Sequence, residues 1–380
     1  MNLDGALRIG RIRGIQISVH WTWLIVFGLI TWSLAVGFFP ETFPGWTATE
    51  YWIVSAVAAL LLFGSVLLHE LAHSFVALSR GLPVQSIVLF IFGGVSNIQK
   101  EPERPQDEFW VTLMGPLSSV VLGVLFLVLF FFLQGVAPAI SALLIYLSSI
   151  NLLLAVFNLI PGFPLDGGRI FRSVVWWITN NFRQSTHIAA IIGQIVAYLF
   201  IFGGLALIFT GQFLSGIWLI FIGWFLNSAA DASYKQVVTR EELRGVKVAE
   251  MMTPSPVTVG PSATLRDLVD DYLLQRNVQS VPVVDDDALV GMVTLNEVRE
   301  VPKEEWDTTT VEQVMTRRDQ IKTISPADDL VQAMGELAGD EEVGLLPVVD
   351  SGRLVGLLSK ANLLRYLKLR EQLGAPNARA

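Results

Sequence analysis

The sequence predicts a polytopic α-helical membrane protein with about six transmembrane helices and a membrane-associated β-strand or hairpin, followed by a cytoplasmic α/β domain pair. Three observations carry this. Apolar runs long enough to cross roughly 30 Å of hydrocarbon recur through the first part of the chain. Charge is unevenly divided: between Phe109 and Ala230 the only acidic residue is Asp166, whereas from Asp231 onward acids and bases are dense. The charged part then contains an internal repeat.

The whole chain of 380 residues is 52% hydrophobic and only 16% charged, with a formal net charge of −8 that comes mostly from the second part. No basic stripe exists, which argues against a nucleic-acid partner. There are no cysteines, so disulfides and thiolate ligands are excluded and any zinc must use histidine and carboxylate. The first apolar run lacks a small-residue cleavage pattern and reads as a retained span.

The spans fall at 17–39, 51–79, 113–133, 140–159, 188–209 and 213–229. The ends at "PETFPGWTATE", "QGVAPA" and "TGQ" carry no Lys or Arg. The opposite ends carry Arg8, Arg11 and Arg13; Arg80, Lys100 and Arg104; Arg169, Arg172 and Arg183; Lys235 and Arg240. The positive-inside asymmetry places both termini and the repeat in the cytoplasm, on a multi-pass protein of a bacterial-type cytoplasmic membrane. Trp21, Trp23, Trp46, Trp176 and Trp177 sit near the expected interfaces. The run 86–98, "SIVLFIFGGVSNI", is too short to span and is rich in β-branched and aromatic residues. It reads as a strand or hairpin, which cannot face lipid bare because its backbone groups would lack partners.

Domain boundaries follow: 1–231 for the membrane domain, 232–245 a linker, 246–305 and 306–373 the two repeats, 374–380 a tail. "VAEMMTPSPVTVGPSATLRDLV" aligns with "VEQVMTRRDQIKTISPADDLVQAM", and "SVPVVDDDALVGMVTLNEV" with "GLLPVVDSGRLVGLLSKANLL". Each copy reads strand, helix, strand, strand, helix, so a pseudo-two-fold pair is expected.

The chemistry lies in "LLHELAHSFVALSRG". His69 and His73 share one helix face and can hold one zinc, with Glu70 beside the metal as a general base. Three ionisable groups inside a span are costly without a function. A catalytic zinc needs a third protein ligand and keeps one position open. Asp166, the lone carboxylate of the later spans, is the nominee; the other reading makes it a cap on the helix that follows. Arg80 marks the cytoplasmic surface, so a metal at His73 would lie roughly 10 Å beneath it.

The motifs "HELAH", "FGG", "GPLSS" and "NLIPGFPLDGG" together resemble the site-2 protease family of intramembrane zinc metalloproteases. The resemblance implies His69, His73 and Asp166 as ligands of one zinc per chain and Glu70 as the base that activates zinc-bound water. It implies Asn158 at the active site, holding substrate or the oxyanion. It also implies a substrate-pairing strand around Ile87, Leu89, Ile91, Gly93 and Gly94, and a transmembrane protein in the lipid bilayer as substrate. The expected function is regulated intramembrane proteolysis. A channel or transporter regulated by the repeat, or an inactive scaffold, are the alternatives; no inverted repeat is visible for the first, and the intact metal motif argues against the second.

The repeat, 246–369, resembles a pair of cystathionine-β-synthase (CBS) domains. In that family the pair often binds an adenine nucleotide through G-h-h-[ST]-x-x-D. Here Thr294 and Ser359 match, while Glu297 and Asn362 replace the aspartate. The resemblance implies a regulatory pair, with an adenine nucleotide as its ligand or a structural role without one, and leaves room for a homodimer through the CBS domains.

Overall fold

The computed structural model of the chain describes residues 6–91, 93–98, 100–276, 278–338 and 344–373. Phe92 of the expected strand and the tail 374–380 lie outside the described residues. The chain divides between Val237 and Val238 into two units.

The first unit begins with a hairpin, β1 (Ala6–Ile12) and β2 (Ile15–His20), where the sequence reading starts a span at Ile17. Ile15 and Ile17 alternate with Gln16 and Ser18, and the two isoleucines are buried. Only Trp21 separates that alternation from the first helix, which hides the change of period. The helix α1 (Thr22–Ser33) follows, then a π-helical turn at Leu34–Phe38 and α2 (Phe39–Thr42). The π turn lies just ahead of Pro40, which has no N–H to donate to the preceding turn.

Helix α3 (Ala48–Ser79) opens on a capping box: Glu50 N–H donates to the Thr47 hydroxyl, and Glu50 accepts from Thr47 N–H at 2.7 Å. It leads into β3 (Val84–Phe90) and β4 (Gly93–Ile98), the expected hairpin. Gly93 takes a φ of +120°, open to glycine alone without strain. Then come α4 (Pro105–Leu133), α5 (Pro138–Asn158), α6 (Asp166–Thr179), α7 (Phe182–Phe209) and α8 (Phe213–Leu243). Among the described residues six helices are long and apolar enough to cross a membrane: Thr22–Thr42, Ala48–Ser79, Pro105–Leu133, Pro138–Asn158, Phe182–Phe209 and Phe213–Glu241. The expected linker 232–245 is helical through Leu243.

The four strands form one sheet in the order β1-β2-β3-β4, with β2 parallel to β3 and the other pairs antiparallel. Ile15 and Ile87 of the sheet pack with Leu71 and Ala77 of α3 and Val111 of α4. The sheet therefore lies against the helix that carries the HExxH motif.

In the second unit the repeats have the expected order, each with a short helix in front (Val248–Met251 and Val311–Val314). The hairpins are Ser280–Asp285 with Ala288–Thr294, and Leu345–Asp350 with Arg353–Ser359. The short lead-in strands are exchanged. Thr316–Arg317 of the second copy pairs with Met292 and Gly291 of the first, and Thr253–Pro254 of the first pairs with Leu357 and Gly356 of the second. Gly291 and Gly356 make this crossing fit: a Cβ there would lie 2.4 Å from Met315 Sδ and 2.6 Å from Met252 Sδ.

Candidate metal centre

His69 and His73 lie on α3, one turn apart on its buried face. Asp166 is the first residue of α6. The N-cap position of that helix is Leu165, not Asp166, and the Asp166 carboxylate reaches the histidines. His69 Nε2 stands 3.1 Å from Asp166 Oδ2, His73 Nε2 3.3 Å from the same oxygen, and the two Nε2 atoms are 3.2 Å apart. This is a three-residue group able to hold a metal ion among the described residues.

The donor set fits zinc. Tetrahedral coordination with bonds of about 2.0–2.1 Å sets ligand atoms about 3.3 Å apart. Both rings are aimed from behind. His73 Nδ1 is 2.8 Å from the Val111 carbonyl oxygen, which can only accept, so the proton sits on Nδ1 and the Nε2 lone pair is free for a metal. His69 Nδ1 is 2.9 Å from Ser119 Oγ. Without a cation, lone pairs and a carboxylate oxygen would crowd one small volume.

Helix α4 comes close because of Gly115, where a Cβ would lie 2.1 Å from His73 Nε2 and 2.6 Å from His69 Nε2. The ends of the broken segment are equally tight. A Cβ on Gly162 would lie 2.5 Å from Gly193 Cα, and one on Gly167 2.4 Å from the Leu159 and Ile160 carbonyl oxygens. The start of α6 is thus folded back on the end of α5, setting Asp166 beside the segment that leaves Asn158, itself half-buried as the last residue of α5.

A buried ion pair also ties α4 to α6. Arg172 Nε donates to Glu108 Oε1 at 2.9 Å, and Arg172 Nη2 makes a second contact to the same oxygen. The guanidinium also lies 5.0 Å from the ring of Phe163 and 4.6 Å from that of Phe182.

Glu70 points toward the sheet. Its Oε2 accepts a hydrogen bond from Ser96 Oγ of β4 at 2.7 Å, and a Cβ on Gly94 would lie 2.5 Å from Glu70 Cγ. The sequence reading places substrate pairing on Ile87 and Leu89, but β3 is an interior strand with partners on both sides. Both residues are buried, and the strand has no backbone edge to offer. Ile91 is in the turn, while Gly93 and Gly94 belong to β4, whose outer edge has no partner strand among the described residues.

In the second unit the candidate nucleotide residues are engaged with the protein itself. Glu297 accepts from Thr294 N–H at 2.9 Å, from the Thr294 hydroxyl, and from the Thr316 hydroxyl at 2.9 Å. Asn362 donates from Nδ2 to Thr253 Oγ1 at 3.0 Å, and its N–H donates to Ser359 Oγ at 3.0 Å. Sequence reasoning missed Ser96, the Val111 carbonyl and the Glu108–Arg172 pair. Gly115 and Ser119 lay within a quoted motif, but their contacts did not show there.

The chain is similar to known proteins over most of its length. Residues 57–141 and 136–203 match Peptidase family M50, and residues 248–304 and 311–369 match the CBS domain. Rip3 of Mycobacterium tuberculosis is 34% identical over 95% of this chain and 93% of its own length. Zinc metalloprotease MJ0392 of Methanocaldococcus jannaschii is 31% identical over 98% of this chain and 99% of its own. Among solved structures, a site-2 protease from Methanocaldococcus jannaschii aligns at 32% identity and a TM-score of 0.41, over 60% of this chain and 95% of that one.

Proposed function

Since the chain belongs to Peptidase family M50, the site-2 proteases, with a CBS-domain pair after the membrane domain, we propose that this zinc metalloprotease cuts a peptide bond in or near a transmembrane helix of a membrane-protein substrate, as a step in regulated intramembrane proteolysis. The observation that carries the proposal is the placement of the metal centre. Two of its three donors lie on a membrane-span helix, and an unpaired strand edge lies beside Glu70.

His69, His73 and Asp166 would hold the ion. Bound there, zinc supplies a Lewis acid and lowers the pKa of water at the open position. Glu70 takes the water's proton on its carboxylate and returns it to the leaving amine. Asn158 is the candidate donor to the developing oxyanion or to the substrate backbone. A helical substrate hides its carbonyls and must unwind locally first. Adding the unwound segment to the outer edge of β4 would satisfy its backbone groups. With Lys and Arg confined to one set of helix ends, both termini and the CBS pair are assigned to the cytoplasm. The pair regulates the membrane domain, with Thr294, Glu297, Ser359 and Asn362 as candidate adenine-nucleotide residues; a homodimer through it is a second proposal.

The test is zinc analysis together with cleavage of a single-span model substrate by wild type and Glu70→Ala. Zinc retained at one per chain, with the cleavage rate down at least about 10²-fold, is the expected result. Undiminished cleavage by Glu70→Ala sinks the assignment.

A further inference from the structure

Ser96 has a place that neither the metal nor the substrate edge explains. Its Oγ donates to Glu70 Oε2 at 2.7 Å and accepts from Ser74 Oγ at 3.2 Å. Ser74 is fully buried on α3, one turn after Glu70. The result is a directed chain of hydroxyls, Ser74 to Ser96 to Glu70, running from helix to strand and back to the helix.

A glutamate has three side-chain torsions, and its last is broad and soft. Nothing in the HExxH spacing itself fixes the carboxylate. Ser96 does so from a strand, not from the helix that carries the base. That strand, β4, pairs with β3 on one side through Ile87↔Ser96 and Leu89↔Gly94, and among the described residues has no partner strand on the other. At Gly94 the strand presses against Glu70 Cγ with no room for a side chain. The strand with the free edge is thus also the one that grips the base at two points.

We propose that Ser96 is a positioning residue for Glu70, and that substrate joining the β4 edge orients the base through it. The proposal rests on the proteolytic reading above. A substrate strand adding to β4 stiffens the strand, the Ser96 hydroxyl is fixed with it, and the Glu70 carboxylate is held where it can take and return a proton.

The experiment uses the full-length protein in nanodiscs with a single-span substrate, and compares Ser96→Thr with Ser96→Val. Those two side chains have the same shape and differ only in the hydroxyl, so a shared packing defect cancels. Expected are equal zinc content, KM values within about twofold, and a kcat about ten- to a hundredfold higher for Thr than for Val, the worth of one hydrogen bond to a charged group. Ser96→Ala should behave as Val does. Equal kcat for Thr and Val overturns the proposal, as does a difference confined to KM or to zinc content. If wild type cleaves no membrane substrate, or Glu70→Ala cleaves as well as wild type, the proteolytic reading itself fails, and that outcome is separate from the Thr–Val comparison.

Discussion

A methyl group on Gly115 would stand 2.1 Å from one metal-facing nitrogen and 2.6 Å from the other, in the volume that zinc would fill. Gly115→Ala should therefore lose zinc while its helix content stays near wild type, as read by metal analysis beside circular dichroism. Glu70→Ala should do the reverse, keeping metal and losing cleavage. Behind the rings, partners such as Ser119 and the Val111 carbonyl are of the kind whose removal costs 10- to 100-fold in metal affinity. The histidine pair was legible because four-residue spacing on a helix is a geometric statement. Asp166 was legible because it is the lone acid in a long apolar stretch. The Val111 carbonyl was not, since every residue has one and only folding selects which is used. Ser96 was not, because twenty-six residues separate it from the carboxylate it serves.

Among the elements, α4 and α6 depend on each other through a charge pair withdrawn from water. Glu108 is fully buried and Arg172 nearly so. Removing Glu108 strips Arg172 of its carboxylate, and removing Arg172 leaves Glu108 only the longer 3.7 Å contact from Arg169, at a cost of up to about 3–5 kcal/mol. Arg172→Met should lower the detergent-solubilised melting temperature sharply, and Glu108→Leu on the same background should recover much of it; a single variant as stable as wild type would refute the coupling. Because α6 begins with Asp166, the weakened protein should also bind zinc less tightly. In the sequence Arg172 read as one of the cytoplasmic charges. Its burial depends on the chain doubling back at Gly162 and Gly167, which no charge-counting rule contains. The N-terminal hairpin was hidden for another reason: only Trp21 separates its last strand from α1, so the strand merges with the apolar run of the first span. The β3–β4 hairpin was legible from its composition and its Gly-Gly turn, but which of its strands is the edge depends on β2, far earlier in the chain.

Across the whole molecule, the division into a membrane unit and a charged repeat was the most legible feature, since it is written in composition and self-similarity. What the repeat did not disclose is how its copies interlock. Glu297 sits at one such crossing. Burial pushes its carboxyl up, but hydrogen bonds from Thr294, its own amide and Thr316 pull it further down, leaving it below the ordinary glutamate value. A carboxyl depressed on folding contributes stability above its unfolded pKa and loses it as pH falls through the folded one. Wild type should therefore melt above Glu297→Gln at pH 7, and the gap should close on acidification through and below the carboxylate range; a gap unchanged by pH would refute this. The exchanged strands also have a genetic consequence. Met252 is matched to Gly356 and Met315 to Gly291, so each compensating partner lies in the opposite copy. Variation in this protein should then be correlated between copies, not within them. A chimera that imports one foreign copy must import the other's lead-in as well, which makes the pair, not the single repeat, the smallest piece that can be moved from one protein to another.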